Sequence, residues 1–355
     1  MRINSLSRHF RNRGTAVWFV VVVLVFIGGL LLGRYIKLGH YVKSKLSART
    51  AEVTYDNPPL RAKDSGYNFI SPLYACGSLG KEEFREFIPL KTEIQKIVDD
   101  TLYTKTATAL SVYFRDLNRG RRVAINDTEK YFPASLSKVP LMMTYFKLAE
   151  SKPNLLSEEI LYDGSFDANI KEDIKPKKLI ESGKRYTVDE LIQAMILYSD
   201  NNATRLLFDH LEPALLSEVF SDLNVPVPKD NDLDTITVKS YSYFFRVLYN
   251  ATYLSREMSE KALALLSQAS FQNGIRAGVP QDVPVAEKYG ESTIYLSQST
   301  IHSRELHDCG IVYDAKNPYL LCVMTKGDNF ENLIRVIQDI SKVAHQEIVS
   351  PSYQN

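Results

Sequence analysis

Cysteine is scarce. Three in 355 residues are too few for a disulfide framework, and no C-x-x-C pair suggests a zinc site. An excess of either charge is missing as well. Lys+Arg total 43 against Asp+Glu 42, a formal net charge of +1, so the chain lacks the basic footprint of a nucleic-acid binder. Glycine (16) and proline (15) are sparse, and 24% of residues are charged, which excludes disorder and low complexity. No internal repeat and no G-x-S-x-G elbow occur. A folded, near-neutral chain remains, without a cofactor or metal signature.

One run stands apart from this average. Residues 14–33, GTAVWFVVVVLVFIGGLLLG, hold no charged side chain. As a helix rising about 1.5 Å per residue, they span about 30 Å, the thickness of the bilayer core. The apolar core of a signal peptide is shorter, about 7–15 residues, and ends at a small-x-small site. This run ends in GRYIKLGH, with no such site and no lipobox cysteine. It reads as an uncleaved transmembrane anchor after a tail at 1–13. Arg2, Arg8, Arg11 and Arg13 precede it, and Arg34, Lys37, Lys43, Lys45 and Arg49 follow, so the positive-inside rule does not orient it.

Residues 34–89 read as a tether, mixed in charge and rich in turn formers. From Leu90 the pattern becomes that of a folded domain, taken as 90–350. Ile94, Ile97, Val98 and Leu102 predict a helix over 91–103, and strands follow at 109–117 and 121–126. A helix runs from about Ser135 to Glu150, and 151–186 is polar and Lys-rich. Thr187 caps VDELIQAMILYS, with further helices at about 203–211, 213–223, 237–251 and 257–269. VPVAEKYG, STIYLSQST, HDCGIVYD and YLLCVMTKG are short β-like runs, and NLIRVIQDISKVAHQEI is an amphipathic closing helix. Strands at both ends must share one sheet if there is one domain. The helical block between them then forms a second lobe, with a cleft between lobe and sheet.

Three short motifs carry the chemistry. S-x-x-K occurs as Ser78–Lys81, in the tether, and as Ser135–Lys138, where a Pro-led loop enters an apolar helix. Helical spacing puts Lys138 on the face of Ser135. A lysine depressed by burial and neighbouring positive charge can take the serine proton there. Pro140 removes an N–H and predicts an irregular first turn. Ser199-Asp200-Asn201 follows a helix; read alone it is a cap, but its serine can relay a proton and Asn201 can hold a carbonyl. Lys288-Tyr289-Gly290 follows VPVAE, where a strand can present its edge to a peptide-like substrate.

Asp200 follows Ser135 by 65 residues and Lys288 follows Asp200 by 88. In this order and context the chain resembles, from about Leu90 to Glu347, the class A β-lactamase and penicillin-binding superfamily of active-site serine hydrolases. The resemblance implies an α/β (α+β) fold, a five-stranded antiparallel sheet flanked by helices with an all-helical lobe. It implies Ser135 as the acylated nucleophile, Lys138 as proton acceptor and Ser199 as relay. Asn201 becomes the substrate amide contact, Lys288 the carboxylate and electrostatic contact, and Lys288, Tyr289 and Gly290 together the substrate-binding strand. The backbone N–H groups of Ser135 and Glu291 become the oxyanion hole. The expected partner is a β-lactam or D-Ala-D-Ala-type peptide, with no nucleic acid. Such substrates lie outside the cytoplasm, so the implied location is the cell membrane, N-terminus in and catalytic domain out.

Two departures bear on activity. Tyr289 replaces the usual Thr or Ser, so the hydroxyl contact is lost or comes from Ser292 or Thr293. No E-x-x-L-N follows Asn201. Glu212 and Glu218 sit in a helical pattern, and the acids near the expected loop are Asp230, Asp232 and Asp234. A β-lactamase, a D,D-peptidase, a weakly catalytic or inactive envelope binding protein and a carboxylesterase of the same mechanism all stay open. His307-Asp308 reads as structural rather than as a triad. Arg276 or Arg304 is a candidate carboxylate contact. Cys309 and Cys322, on successive strands, pair only if the register lets them, and Cys76 is then single.

Overall fold

Five strands, the central ones buried on both faces, build the scaffold. The computed structural model describes residues 60–61, 66–75, 87–170, 172–227, 236–295 and 301–350. Strands β1 (Leu60–Arg61) and β2 (Leu73–Ala75) pair with each other. Helix α1 (Ile88–Tyr103) starts on Pro89, where a missing N–H costs nothing. Then come β3 (Ala109–Asp116), β4 (Arg122–Ile125) and β5 (Lys130–Tyr131). A 3₁₀ turn, Ala134–Ser137, leads into α2 (Lys138–Ala149). The hairpin β6 (Glu159–Tyr162) and β7 (Lys184–Thr187) precedes α3 (Val188–Leu197), α4 (Asn201–Asp209) and α5 (Pro213–Asp222). After β8 (Ile236–Thr237) come α6 (Val238–Asn250) and α7 (Arg256–Leu266). The chain then returns to the sheet with β9 (Val285–Tyr295), β10 (Ile301–Val312) and β11 (Tyr319–Gly327), and closes on α8 (Phe330–Ile348).

The main sheet is antiparallel in the order β4-β3-β11-β10-β9. One face packs Leu110, Val112, Phe114, Leu321 and Val323 against α1 and α8, whose stripes are Leu90, Ile94, Val98 and Leu333, Ile337, Ile340. The other face packs Leu320, Cys322 and Met324 against the helical lobe through Leu136, Met142, Tyr241 and Phe245. This is the expected sheet with flanking helices and a helical lobe. It leaves β9 as an edge strand facing that lobe.

Three differences from the sequence reading have physical causes, and the cysteine pairing left open there is settled by register. VPVAEKYG and STIYLSQST do not form separate strands. Their register against β10 runs unbroken through Tyr289↔Asp308, Gly290↔His307 and Glu291↔Leu306, so K-Y-G lies inside a strand rather than at a turn. The Lys-rich stretch contains the β6–β7 hairpin, paired from Glu159↔Thr187 to Tyr162↔Lys184. Within the supposed tether, Asn68, Phe69 and Ile70 donate their N–H groups to the Glu260 carboxylate at 2.7, 2.9 and 3.0 Å. Ile70 is buried and Phe69 packs edge-on against Tyr313, so this part is docked on the domain. Cys309 and Cys322 face each other across β10 and β11 and are joined as a disulfide.

The run 14–33 expected to be an anchor, Ser78 and Lys81, Cys76, and Asp230, Asp232 and Asp234 lie outside the described residues. Among the described residues no helix is long and apolar enough to cross a membrane.

Helix α3 ends just before Ser199, so its start matters to the site. Thr187 and Glu190 form a reciprocal capping box. Thr187→Ala should lower unfolding free energy by about 1 kcal/mol in a urea titration; no change in midpoint would contradict the cap's role.

Candidate active site

The nucleophile candidate stands on a strained turn. Ala134, just before Ser135, holds φ +47°, a region a non-glycine residue occupies only when its surroundings impose it. Leu136 N–H donates to Pro133 O at 3.0 Å, and the Tyr241 hydroxyl donates to Leu136 O at 2.9 Å. The irregular turn expected from Pro140 is the 3₁₀ segment, after which α2 proceeds normally.

Ser199 repeats this strain with φ +61°. Its neighbour Asp200, fully buried, caps α4 by accepting from Asn202 and Ala203 N–H, and it also accepts from Ile180 N–H at 2.7 Å. The capping reading of S-D-N holds on Asp200 alone. Asp200 fixes the helix start, and Ser199 and Asn201 turn towards Lys138.

Lys138 does not bond Ser135 directly. Its Nζ donates to Ser199 O (2.7 Å), Ser199 Oγ (3.0 Å) and Asn201 Oδ1 (2.6 Å), which uses all three ammonium donors. The Ser135 hydroxyl is instead reached through Ser199, Oγ to Oγ at 3.2 Å. From β9, Lys288 Nζ also donates to Ser199 Oγ, at 3.0 Å, and to Tyr289 O at 2.9 Å. Two lysines thus converge on one serine. Both are almost wholly buried, and burial disfavours their charged forms. It brings Lys138 down to about 7 against the pull of Glu172, Asp200 and Glu291. Lys288 falls well below its ordinary value, through burial and then the charge of Lys138.

Gly290 explains how β9 reaches the nucleophile turn. A Cβ at this position would meet Leu136 N, Leu136 Cγ and Pro133 O, each at 3.0 Å. Tyr289 fills the place of the usual hydroxyl residue. Its ring stacks on Phe271 at 4.2 Å between centroids and lies 4.2 Å from Lys288 Nζ. Its hydroxyl lies by Ser199, and burial keeps the phenol protonated by raising its pKa. Of the proposed substitutes, Thr293 spends its hydroxyl on Asp173 Oδ2 at 2.7 Å.

The loop between β6 and β7 supplies a residue that the sequence reading missed, Glu172. Asn201 Nδ2 donates to Glu172 Oε1 at 2.5 Å. The loop is seated by Ala168 N–H on Asn202 Oδ1 (2.7 Å) and by Asn201 N–H on Asn169 Oδ1 (2.9 Å). It reaches β9 through Ile174 N–H on Glu291 Oε1 at 2.5 Å. Burial, with Glu172 as a like-charged neighbour, raises Glu291 to about 7. The search for an acid looked downstream of Asn201, whereas Glu172 lies upstream. Its lysine-rich surroundings carry no spacing that marks it.

Other candidates resolve as structural. Arg276 donates to Val283 O and Pro280 O at 2.5 and 2.6 Å, and Arg304 to Asp328 O at 2.7 Å. Turn carbonyls thus hold both guanidinium groups, Arg304 with its Nε buried and without a hydrogen-bond partner among the described residues. His307, fully buried, contacts Phe132 O and Glu305. Asp308 accepts from Ile275 N–H and is raised to about 7 by burial. Glu212 and Glu218 are exposed around α5. Among the described residues no cluster suited to a metal ion occurs.

A buried serine joined to a second serine and two lysines, on a sheet edge facing a helical lobe, defines an active-site serine hydrolase architecture. The profile described as the beta-lactamase enzyme family matches residues 89–348, and the chain belongs to that family. Solved structures share the fold. PBP-A is 19% identical at TM-score 0.61, covering 73% of this chain and 95% of its own. A mutant of PBP-A is recorded as an acyl-enzyme complex with penicillin G. A class A beta-lactamase from Mycobacterium abscessus is 21% identical at TM-score 0.62, covering 74% and 100%. A beta-lactamase from Sphaerobacter thermophilus is 19% identical at TM-score 0.61, covering 73% and 98%.

Gly290→Ala should push β9 off the nucleophile turn by a few tenths of an ångström. The reaction of Ser135 with a fluorophosphonate should slow by about tenfold with the fold intact by circular dichroism. An unchanged rate would mean that the close approach is not required.

Proposed function

We propose that the protein is an acyl-serine hydrolase that reacts through Ser135 with β-lactam or D-Ala-D-Ala-type amides. The observation that carries this is the hydroxyl chain Ser135–Ser199 ending on Lys138, a lysine brought by burial to about 7. Near neutral pH a substantial share of Lys138 is then uncharged and able to accept a proton. With hydroxyl hydrogens turned along the chain, Ser135 gives its proton to Ser199, and Ser199 gives its own to Lys138. The Ser135 oxygen forms the new bond to the substrate carbonyl. The amide nitrogen leaves with a proton returned through Ser199.

The remaining roles follow from position. The backbone N–H groups of Ser135 and Glu291 are the proposed oxyanion donors. Asn201 Nδ2 is the donor for the substrate's acyl-side carbonyl, once released by Glu172. Lys288 serves as an electrostatic partner of Ser199 rather than as a carboxylate clamp, since its described contacts go to Ser199 and Tyr289. A second reading, a penicillin-binding protein that acylates and releases slowly, is favoured by one observation: Glu172 occupies the Asn201 amide that a substrate needs. Under either reading, residues 14–33 are proposed to anchor the domain on the outer side of the cell membrane, where such substrates lie.

A fluorescent penicillin should label the wild-type protein one to one and leave Ser135→Ala unlabelled. Lys138→Ala should label about a hundredfold or more slowly. Equal labelling of the Ser135→Ala variant would sink the proposal. The lifetime of the labelled species separates the two readings: minutes or less for turnover, hours for a penicillin-binding protein.

A further inference from the structure

The rim of this cleft is acidic, although the reaction it resembles is usually served by cations. Glu172 and Asp173 come from the β6–β7 loop and Glu291 from β9, and the three converge beside Asn201. The two lysines below them are closed in and weakened as cations by burial. Among the loop's described lysines, Lys175 turns its Nζ to the carbonyls of Asn169 and Ile170 at 3.3 and 2.9 Å, and Lys178 lies over the Tyr198 ring.

Glu291 makes the cluster more than a charged surface. The residue is only 6% exposed, yet Oε2 is buried with no hydrogen-bond partner among the described residues, and the Glu172 carboxyl stands beside it as a like charge. An unmatched buried carboxyl oxygen is costly, and a donor brought by a ligand removes that cost. Glu172 leads to the same conclusion from the opposite wall. A substrate carbonyl can take Asn201 Nδ2 only by displacing Glu172, which leaves that carboxylate without its donor. The exchange is favourable if the same substrate carries a donor next to that carbonyl.

We propose that Glu172 and Glu291 form a subsite for an ammonium group on the acyl side of the substrate, adjacent to the carbonyl that Asn201 binds. Three N–H donors on one nitrogen match the two carboxylates. As the carbonyl takes the Asn201 amide, the ammonium takes Glu172 and brings a donor to Glu291 Oε2, which favours the ionised form of a carboxyl otherwise raised to about 7. Asp173, tied to Thr293, adds negative field without a free acceptor at the same oxygen. The selected substrates are amides or lactams acylated by an α-amino acid. A carboxylate at the same position meets like charge and is disfavoured. The inference rests on Ser135 being the acylated nucleophile.

Three penicillins with the same phenylacetyl-type side chain, bearing an α-ammonium, an α-hydrogen or an α-carboxylate, test it. At about pH 6.5 the α-amino group, with an ordinary pKa of about 7.7–8.0, is charged. Acylation rate constants, read by mass spectrometry of the intact protein, should fall by about tenfold at each step from ammonium to hydrogen to carboxylate. Glu172→Gln should bring the three within about threefold, and Glu172→Lys should invert the order, which simple loss of packing cannot do. Rates in the wild type that do not follow charge, or an order unchanged in both variants, overturn the subsite while Ser135 stays the nucleophile. Absence of acylation by all three overturns the nucleophile reading, and the subsite with it.

Discussion

Two lysine side chains closed in against one serine hydroxyl set the terms for the rest of the site. Removing an ammonium from water costs several kcal/mol even after relaxation. The protein meets that cost partly with hydrogen bonds and partly by favouring the neutral amine. Lys138 and Lys288 both donate to Ser199 Oγ, and the charge of Lys138 further weakens Lys288 as a cation. This arrangement exists only while the edge of the sheet is pressed on the helical lobe. Gly290 permits that approach by lacking a side chain where Leu136 and Pro133 O stand. Ser199 meets the lysines because its backbone is held left-handed between the end of α3 and the Asp200 cap. That conformation costs about 1–3 kcal/mol, and the hydrogen bonds around it offset the cost.

The acidic loop completes the electrostatics. Burial weakens the two lysines as cations, and Glu172 stands beside them with its carboxylate bonded to Asn201. Glu172 thereby couples the outer wall to the proton path. Its bond to Asn201 Nδ2 and the bond of Lys138 to Asn201 Oδ1 occupy opposite ends of one amide. The side chain that orients the lysine is the one that a substrate must engage.

Much of this was legible in the sequence, and the failures have specific causes. Ser135-x-x-Lys138, Ser199-Asp200-Asn201 and Lys288-Tyr289-Gly290 announce themselves by residue type and chain order, and the structure brings them together. The helices were visible because their apolar stripes repeat at helical spacing, as in Leu333, Ile337, Ile340 and Ala344. Glu172 was hidden because its place at the site comes from the return of the β6–β7 hairpin. No local pattern encodes that. The left-handed backbone of Ala134 and Ser199 was hidden too, since neither residue type signals it. Arg276 and Arg304 looked available because a sequence shows their charge but not the turn carbonyls that hold them. The Cys309–Cys322 pairing needed the β10–β11 register, where a slip of one residue changes the outcome.

The central claim is that Lys138 is ready to accept a proton near neutral pH. A ¹⁵N titration of its ζ-nitrogen in lysine-labelled protein, assigned by loss of the signal in Lys138→Arg, tests this most directly. The structure predicts a midpoint at about 7. A midpoint near the ordinary lysine value of about 10.4 would contradict it, because the end of the Ser135–Ser199 chain would then be a charged donor and not a base.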